Sequence, residues 1–288
     1  MKNLLSKYKN QKIFLVDFLW YCHKCFYVHQ DLVSKSGIQT GHLYGLSNLV
    51  QRILNLYPDS LIIMCEDCGS KDRKELNENY KANRKEKPFD DIWDYAHALF
   101  SDMDNVQFAY HQGFEADDMM FSISRIKDYN NEFIIISGDN DLMQALDEST
   151  IIVKSISNKG FQNIVTPDSE YYIKKFKDIP PNKIPTYRAI IGDRSDNLNP
   201  IMARFPKKLA YYYTMNYPNL DLTLFNSKEC TYLSEIMKSS IFKTNLEIMQ
   251  LKPIEVNIRN KSGKTLETIK ELSLYQFGKW YNKYKGSV

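Results

Sequence analysis

Glycine is scarce, at 11 of 288 residues, and the first strand-like run, Lys12 to Asp17, is followed by Phe-Leu-Trp-Tyr-Cys-His. No G-x-G-x-x-G follows it, which argues against a dinucleotide-binding enzyme, since that fingerprint needs glycines to bring backbone against a pyrophosphate. No apolar run is long enough to cross a bilayer. The N-terminal apolar stretch is too short for a signal peptide and runs straight into Asp17. A soluble, cytoplasmic protein with no membrane partner is expected. Histidine is rare at five residues, so a histidine-rich metal site is not expected. The five cysteines, Cys22, Cys25, Cys65, Cys68 and Cys230, include two C-x-x-C pairs, a spacing that first suggests zinc. Cys65 ends the run Leu61-Ile62-Ile63-Met64, however, so the pairs read as small buried hydrophobes, with zinc the alternative. Repeats and low-complexity linkers are absent.

What is present suits one sizeable core, or a core plus a smaller lobe: 43% of residues are hydrophobic and 25% charged. The net charge of +3 says little about a nucleic-acid partner, because a basic groove can hide in a balanced total. Strand-like and helix-like runs alternate. Strands are expected at Lys12 to Asp17, Ser60 to Cys65, Val106 to Tyr110, Phe133 to Ser137 and Ile151 to Ser155. Helices are expected at 40–56, 90–101, Ala116 to Ile126 and around 141–146. Asn158-Lys159-Gly160 reads as a turn between short strands, and Thr166-Pro167-Asp168 as a helix start. From there on, mainly helices are expected. This order implies an α/β fold: a mostly parallel central sheet with helices on both faces.

Ligands of an open parallel sheet bind beyond the carboxyl ends of its strands, and acids gather there. Asp17 closes the first strand and Asp67 follows the second. Glu115, Asp117 and Asp118 follow the third, and Asp139 and Asp141 the fourth. Asp193 and Asp196 lie further on in Ile-Gly-Asp-Arg-Ser-Asp-Asn. A single acid before a helix is an ordinary N-cap. Two or three per loop exceed what caps need, and so many carboxylates at one edge repel one another unless cations neutralise them. Oxygen ligands with few histidines point to Mg²⁺, with Mn²⁺ able to substitute. Two such ions suit phosphodiester hydrolysis, one activating water and the other offsetting charge on the leaving oxygen.

Glu115-Ala-Asp-Asp118, Ser137-Gly-Asp-Asn-Asp141 and Ile191-Gly-Asp-Arg-Ser-Asp-Asn197 together resemble the 5′ nuclease family over roughly residues 12–220. That family comprises flap endonucleases, the 5′-exonuclease domain of bacterial DNA polymerase I and stand-alone bacteriophage exonucleases. The resemblance implies a PIN-like nuclease core at 1–180 and a helical DNA-binding region at 181–288. It also implies a structure-specific 5′→3′ exonuclease or flap endonuclease of replication or repair, acting on DNA with 5′ flaps, nicks or free 5′ ends and on RNA primers. Asp17, Asp67, Glu115, Asp117 and Asp139 would serve the first metal, Asp141, Asp193 and Asp196 the second, and Asp118 matches the second acid of the D-D pair. Tyr80-Lys81-Ala82-Asn83-Arg84 resembles the Y-K-x-N-R segment at the base of a helical arch, here 70–90, with Lys81 and Arg84 on the scissile phosphate and its neighbour. Arg73 matches an earlier basic residue of the arch and would join Lys81 and Arg84 as a catalytic residue. Seven Lys/Arg and four acids fall between Lys71 and Lys87, so the segment is locally basic. Tyr80 either stacks on a base or packs.

The chain departs from the family after Asn197. A glycine-rich hairpin between two helices, gripping duplex backbone through amides and a potassium ion, is replaced by Leu198-Asn-Pro-Ile-Met-Ala-Arg-Phe-Pro-Lys-Lys-Leu-Ala210. The helix-hairpin-helix is thus degenerate, and no potassium site is expected. Phosphate contact would shift to Arg204, Lys207 and Lys208, making duplex binding more salt-sensitive. A monomer is expected in a bacterial or phage-infected cell, with a polymerase, clamp or single-strand-binding protein as possible partner. Phe277 and Trp280 read as packing residues. A non-catalytic DNA-binding protein of the same fold is the alternative function. A PIN-type ribonuclease fits less well: such chains are shorter and lack the Y-K-x-N-R segment.

Overall fold

The computed structural model describes residues 1–33, 37, 39–84, 92–100 and 103–259. The rest of the arch and the expectations for Phe277 and Trp280 fall outside these residues. Among the described residues, seven strands form one sheet in the order β6-β5-β4-β1-β2-β3-β7. They are β1 (Lys12–Asp17), β2 (Leu61–Cys65), β3 (Val106–Tyr110), β4 (Glu132–Ile136), β5 (Thr150–Ser157), β6 (Gly160–Val165) and β7 (Asn257–Ile258). β1 to β5 run parallel, and β6 and β7 add antiparallel edges.

The apolar runs are continuous because a parallel sheet is covered on both faces. Alternate residues of β1 feed opposite cores. Phe14 and Val16 pack with Ile62, Met64 and Phe108 against helices Phe18–Val28 and Gly41–Leu56. Ile13 and Leu15 pack with Leu61, Ile63 and Cys65 against helix Ala116–Ser124 and the 3₁₀ turn Asp141–Ala145. A third cluster binds helices Ile184–Ile191, Lys207–Asn216, Ser227–Lys238 and Ser240–Met249. No helix among the described residues is long and apolar enough to cross a membrane.

Chain order steps from β1 to β2 and β3 on one side, then jumps back to β4 beside β1. That reversal is the topological switch point, where the loops diverge and leave a crevice. In register, Val16 lies beside Ile136 and Asp17 beside Cys65, so the strand ends finish at one level.

Several elements differ from expectation. Helix Phe18–Val28 begins directly at Asp17, where the sequence reading placed no helix. The helix after Pro167 starts at Glu170, because Ser169 supplies the cap by accepting from the Tyr172 amide. β7 was not foreseen: it is two residues long and too short for any periodicity. It is held by the Arg259 amide donating to the Phe108 carbonyl and by Arg259 Nε donating to Glu66 at 2.6 Å. Leu251 and Val256 thus pack in the second core after the helical segment. The cysteine pairs are separated: Cys22 and Cys25 are buried on one face of the sheet and Cys65 on the other. They act as packing residues and cannot join in a four-cysteine zinc site.

Candidate active site

Asp17 sits at the switch point. One carboxylate oxygen caps helix Phe18–Val28 by accepting from the Trp20 amide at 3.2 Å, and the other accepts from the Ser137 hydroxyl at 2.8 Å. The Ser137 oxygen in turn accepts from the Asp139 amide at 3.0 Å, tying the ends of β1 and β4 together. Gly138 between them has a steric reason: a Cβ there would lie 2.7 Å from the Trp20 ring. Glu115 and Asp118 open helix Ala116–Ser124, the Asp118 carboxylate accepting from the Glu115 amide at 3.2 Å.

These loops enclose a cavity of about 460 Å³ lined by Asp17, Asp67, Glu115, Asp117 and Asp139, with Lys81 and Arg84. Asp139 and Asn140 also line an adjoining cavity of about 380 Å³ that holds Asp141, Asp193 and Asp196. Carboxylate oxygens of those last three lie within 4.8 Å of one another. Their loop is shaped by Gly192 at φ +73°, where a Cβ would lie 2.5 Å from the Pro200 nitrogen. The Asp193 carboxylate accepts from the Ser195 amide and hydroxyl, both at 2.7 Å.

The segment 79–84 is stitched across both groups. The Tyr80 hydroxyl reaches Glu115 at 3.0 Å and Asp196 at 3.3 Å, Lys81 donates to Glu115 at 2.5 Å, and Arg84 to Asp196 at 2.7 Å. Lys81 adopts φ +55°, and its carbonyl accepts from the Arg84 amide, so a turn rather than a helix puts these two cations on one side. Tyr80 is 3% exposed, which makes it a packing residue and not a base-stacking one. Arg73 is also buried, at 4%. Its guanidinium donates to Asp118 at 2.6 and 2.7 Å, to Glu115 at 2.8 Å and to the Ile248 carbonyl at 3.0 Å. It therefore lies under the acids as a brace and lines neither of the two cavities. Asp118, turned inward onto Arg73, lines neither cavity described above.

Three contributors were missed at the sequence level. Trp20 and His23 line the first cavity, and only the unrecognised helix after Asp17 would have pointed to them. Arg188 pairs with both Asp141 and Asp193. Its signal was local: it stands five residues before Asp193 near the end of a helix. Arg204, Lys207 and Lys208 are all exposed, and Lys207 lines the second cavity. Arg204 keeps a left-handed φ of +59° although no glycine remains in the segment, a conformation costing about 1 kcal/mol for a residue with a Cβ.

Burial pushes the Asp17 and Asp117 carboxyls up to about 7, with neighbouring acids adding to the effect, and raises Glu115 and Asp139 as well. All-oxygen donors crowded this closely fit divalent cations, which remove the repulsion that otherwise favours protonation. A stability consequence follows. Carboxyls with folded values above 3.8 favour the fold while protonated, and that contribution fades as pH rises through about 7. In EDTA, melting temperature should fall between about pH 5.5 and about pH 8, and Mg²⁺ should raise it more at the higher pH. Thermal melts check this, and an equal Mg²⁺ increment at both pH values would refute it.

Residues 12–177 match the family described as 5′-3′ exonuclease, N-terminal resolvase-like domain. A 5′-3′ exonuclease of Mycoplasmopsis pulmonis is 30% identical over 85% of this chain and 80% of its own length. DNA polymerase I of Caldicellulosiruptor bescii is 29% identical over 61% of this chain, which spans only 21% of that polymerase. Among solved structures, the bacteriophage T5 D15 protein co-crystallised with metal ions has a TM-score of 0.60 at 18% identity, covering 84% of this chain and 90% of that one. The catalytic core of Rad2 in complex with DNA substrate has a TM-score of 0.53 at 11% identity, covering 97% and 92%. The two structures share the fold, and the match over more than half the chain places this protein in the 5′-3′ exonuclease family.

Proposed function

We propose that this chain is a divalent-metal-dependent 5′ nuclease that hydrolyses phosphodiester bonds in DNA at 5′ flaps, nicks, gaps and free 5′ ends. Mg²⁺ is the intended ion, RNA primers on DNA are also cut, and the products carry a 5′-phosphate and a 3′-hydroxyl. The observation that carries this reading is the convergence of carboxyls from several loops on two adjoining cavities, with Lys81 and Arg84 in the wall. Divalent ions held there would activate water and offset charge on the phosphate and the leaving oxygen.

The chain's own residues supply the rest. Lys81 and Arg84 are now paired with Glu115 and Asp196. With those acids serving metal, the two cations are released to hold the non-bridging oxygens of the phosphate. Trp20 and His23 give the cavity a wall against sugar or base. Arg204, Lys207 and Lys208 reach duplex backbone through side chains, so affinity falls with salt. The role would be primer removal or repair, alongside a separate polymerase, clamp or single-strand-binding protein.

The test is a 5′-end-labelled flap duplex incubated in Mg²⁺ or EDTA, beside Lys81→Ala. Mg²⁺-dependent cutting near the junction is expected, with Lys81→Ala slower by about 10²-fold. Release of only short 5′ products would restrict the activity to exonuclease. DNA binding without cutting in Mg²⁺ or Mn²⁺ would replace the proposal with a non-catalytic binder.

A further inference from the structure

Arg188 is not among the groups to which the proposed reaction gives a role, yet its guanidinium is committed to the second acidic group. It projects from helix Ile184–Ile191 and pairs with Asp141 from the loop after β4 and Asp193 from the loop after its own helix. All three side chains are largely enclosed, with exposures of 13%, 14% and 12%. Asp196 completes the group from the same loop as Asp193.

Three carboxylates with oxygens within 4.8 Å of one another need a cation among them. A guanidinium supplies one positive charge spread over a planar fork. A divalent ion supplies two charges at one point and draws oxygens to about 2.0–2.1 Å in the case of Mg²⁺. Both cannot occupy the same oxygens of Asp141 and Asp193. We infer that Arg188 is the resident counter-cation of Asp141 and Asp193, as Arg84 is of Asp196, and competes with a divalent ion for those two acids. This rests on the reading of that group as a metal site. On displacement the guanidinium stays in a cavity wall that also carries Lys175, Arg194 and Lys207. There it adds a cation for a phosphate at the moment the metal arrives. Arg188 therefore weakens divalent binding at this group and keeps the metal-free loop folded.

The test is Mn²⁺ binding to wild type and Arg188→Gln, followed by the electron paramagnetic resonance signal of free Mn²⁺. Asp141→Asn/Asp193→Asn identifies the second site by abolishing it. Wild type should show a tighter and a weaker site. Arg188→Gln should tighten the weaker one by about tenfold or more, a gain of about 1.4 kcal/mol, and leave the tighter one unchanged. In EDTA the variant should melt below wild type, and Mn²⁺ should raise its melting temperature by more. An unchanged or weakened second site in Arg188→Gln, with first-site binding intact, overturns the inference, and flap cutting by wild type leaves the nuclease reading standing. Absence of Mn²⁺ binding in wild type overturns both.

Discussion

Asp139→Asn is expected to slow single-turnover cleavage in Mg²⁺ by about 10³-fold or more, without loss of fold. Asp139 follows β4 at the switch point and is the one acid that lines both cavities described above. An amide keeps the local geometry: its carbonyl oxygen can still accept from the Asp141 amide, now at 2.9 Å. It removes the negative charge that, in the proposed reaction, Asp139 would offer to a divalent ion. Stability should move the other way. Burial raises the Asp139 carboxyl, Arg188 and Lys81 oppose that, and Asp196 adds to it. A neutral amide escapes the desolvation cost, so the metal-free variant should melt no lower than wild type at about pH 8. Cleavage within tenfold of wild type would remove Asp139 from the metal-binding set.

Arg73→Met is expected to destabilise the protein by about 3–5 kcal/mol, because it leaves buried carboxyls without their countercharge. The Arg73 fork is bidentate to Asp118, touches Glu115 and reaches the Ile248 carbonyl, joining the loop after the third strand to helix Ser240–Met249. Arg73→Lys should recover little, since an ammonium cannot span the fork. Arg73→Met/Asp118→Leu should recover part of the loss, because both ends of the pair then become apolar. Urea midpoints measure these differences, and a loss below about 1 kcal/mol would refute the brace. DNA binding separates this role from phosphate contact. A brace leaves the salt dependence of folded protein unchanged, whereas loss of one phosphate contact lowers the slope by about 1.

Much of the fold was legible because parallel strands covered on both faces must be continuous apolar runs. Ile13 to Val16, Leu61 to Cys65 and Phe133 to Ile136 stand out for that reason. The acids that close these runs were legible too, since a loop between strand and helix needs one cap and these carry more. The helix after Asp17 was hidden. Its first residues, Phe-Leu-Trp-Tyr-Cys, are apolar on all sides of the helix and carry no 3.6-residue rhythm. Its cap, Asp17, is in view at the end of the strand, but an acid there fits a cap and a metal site equally and does not by itself announce a helix.

By itself the sequence determined the five parallel strands, which loops carry carboxyls, and that hard oxygen donors would be concentrated at one edge of a parallel sheet. These are consequences of local composition and periodicity. Tertiary structure alone decided the partners. The crossover that sets β4 beside β1 brings Asp139 to Asp17. The packing of helix Ser240–Met249 gives Arg73 an inward partner 175 residues away, and the turn at Lys81 aims Tyr80 beneath the site. The same cationic side chain can face solvent, a phosphate or a buried carboxylate. Which it meets depends on desolvation and on charges brought together from distant parts of the chain, and no local pattern encodes that.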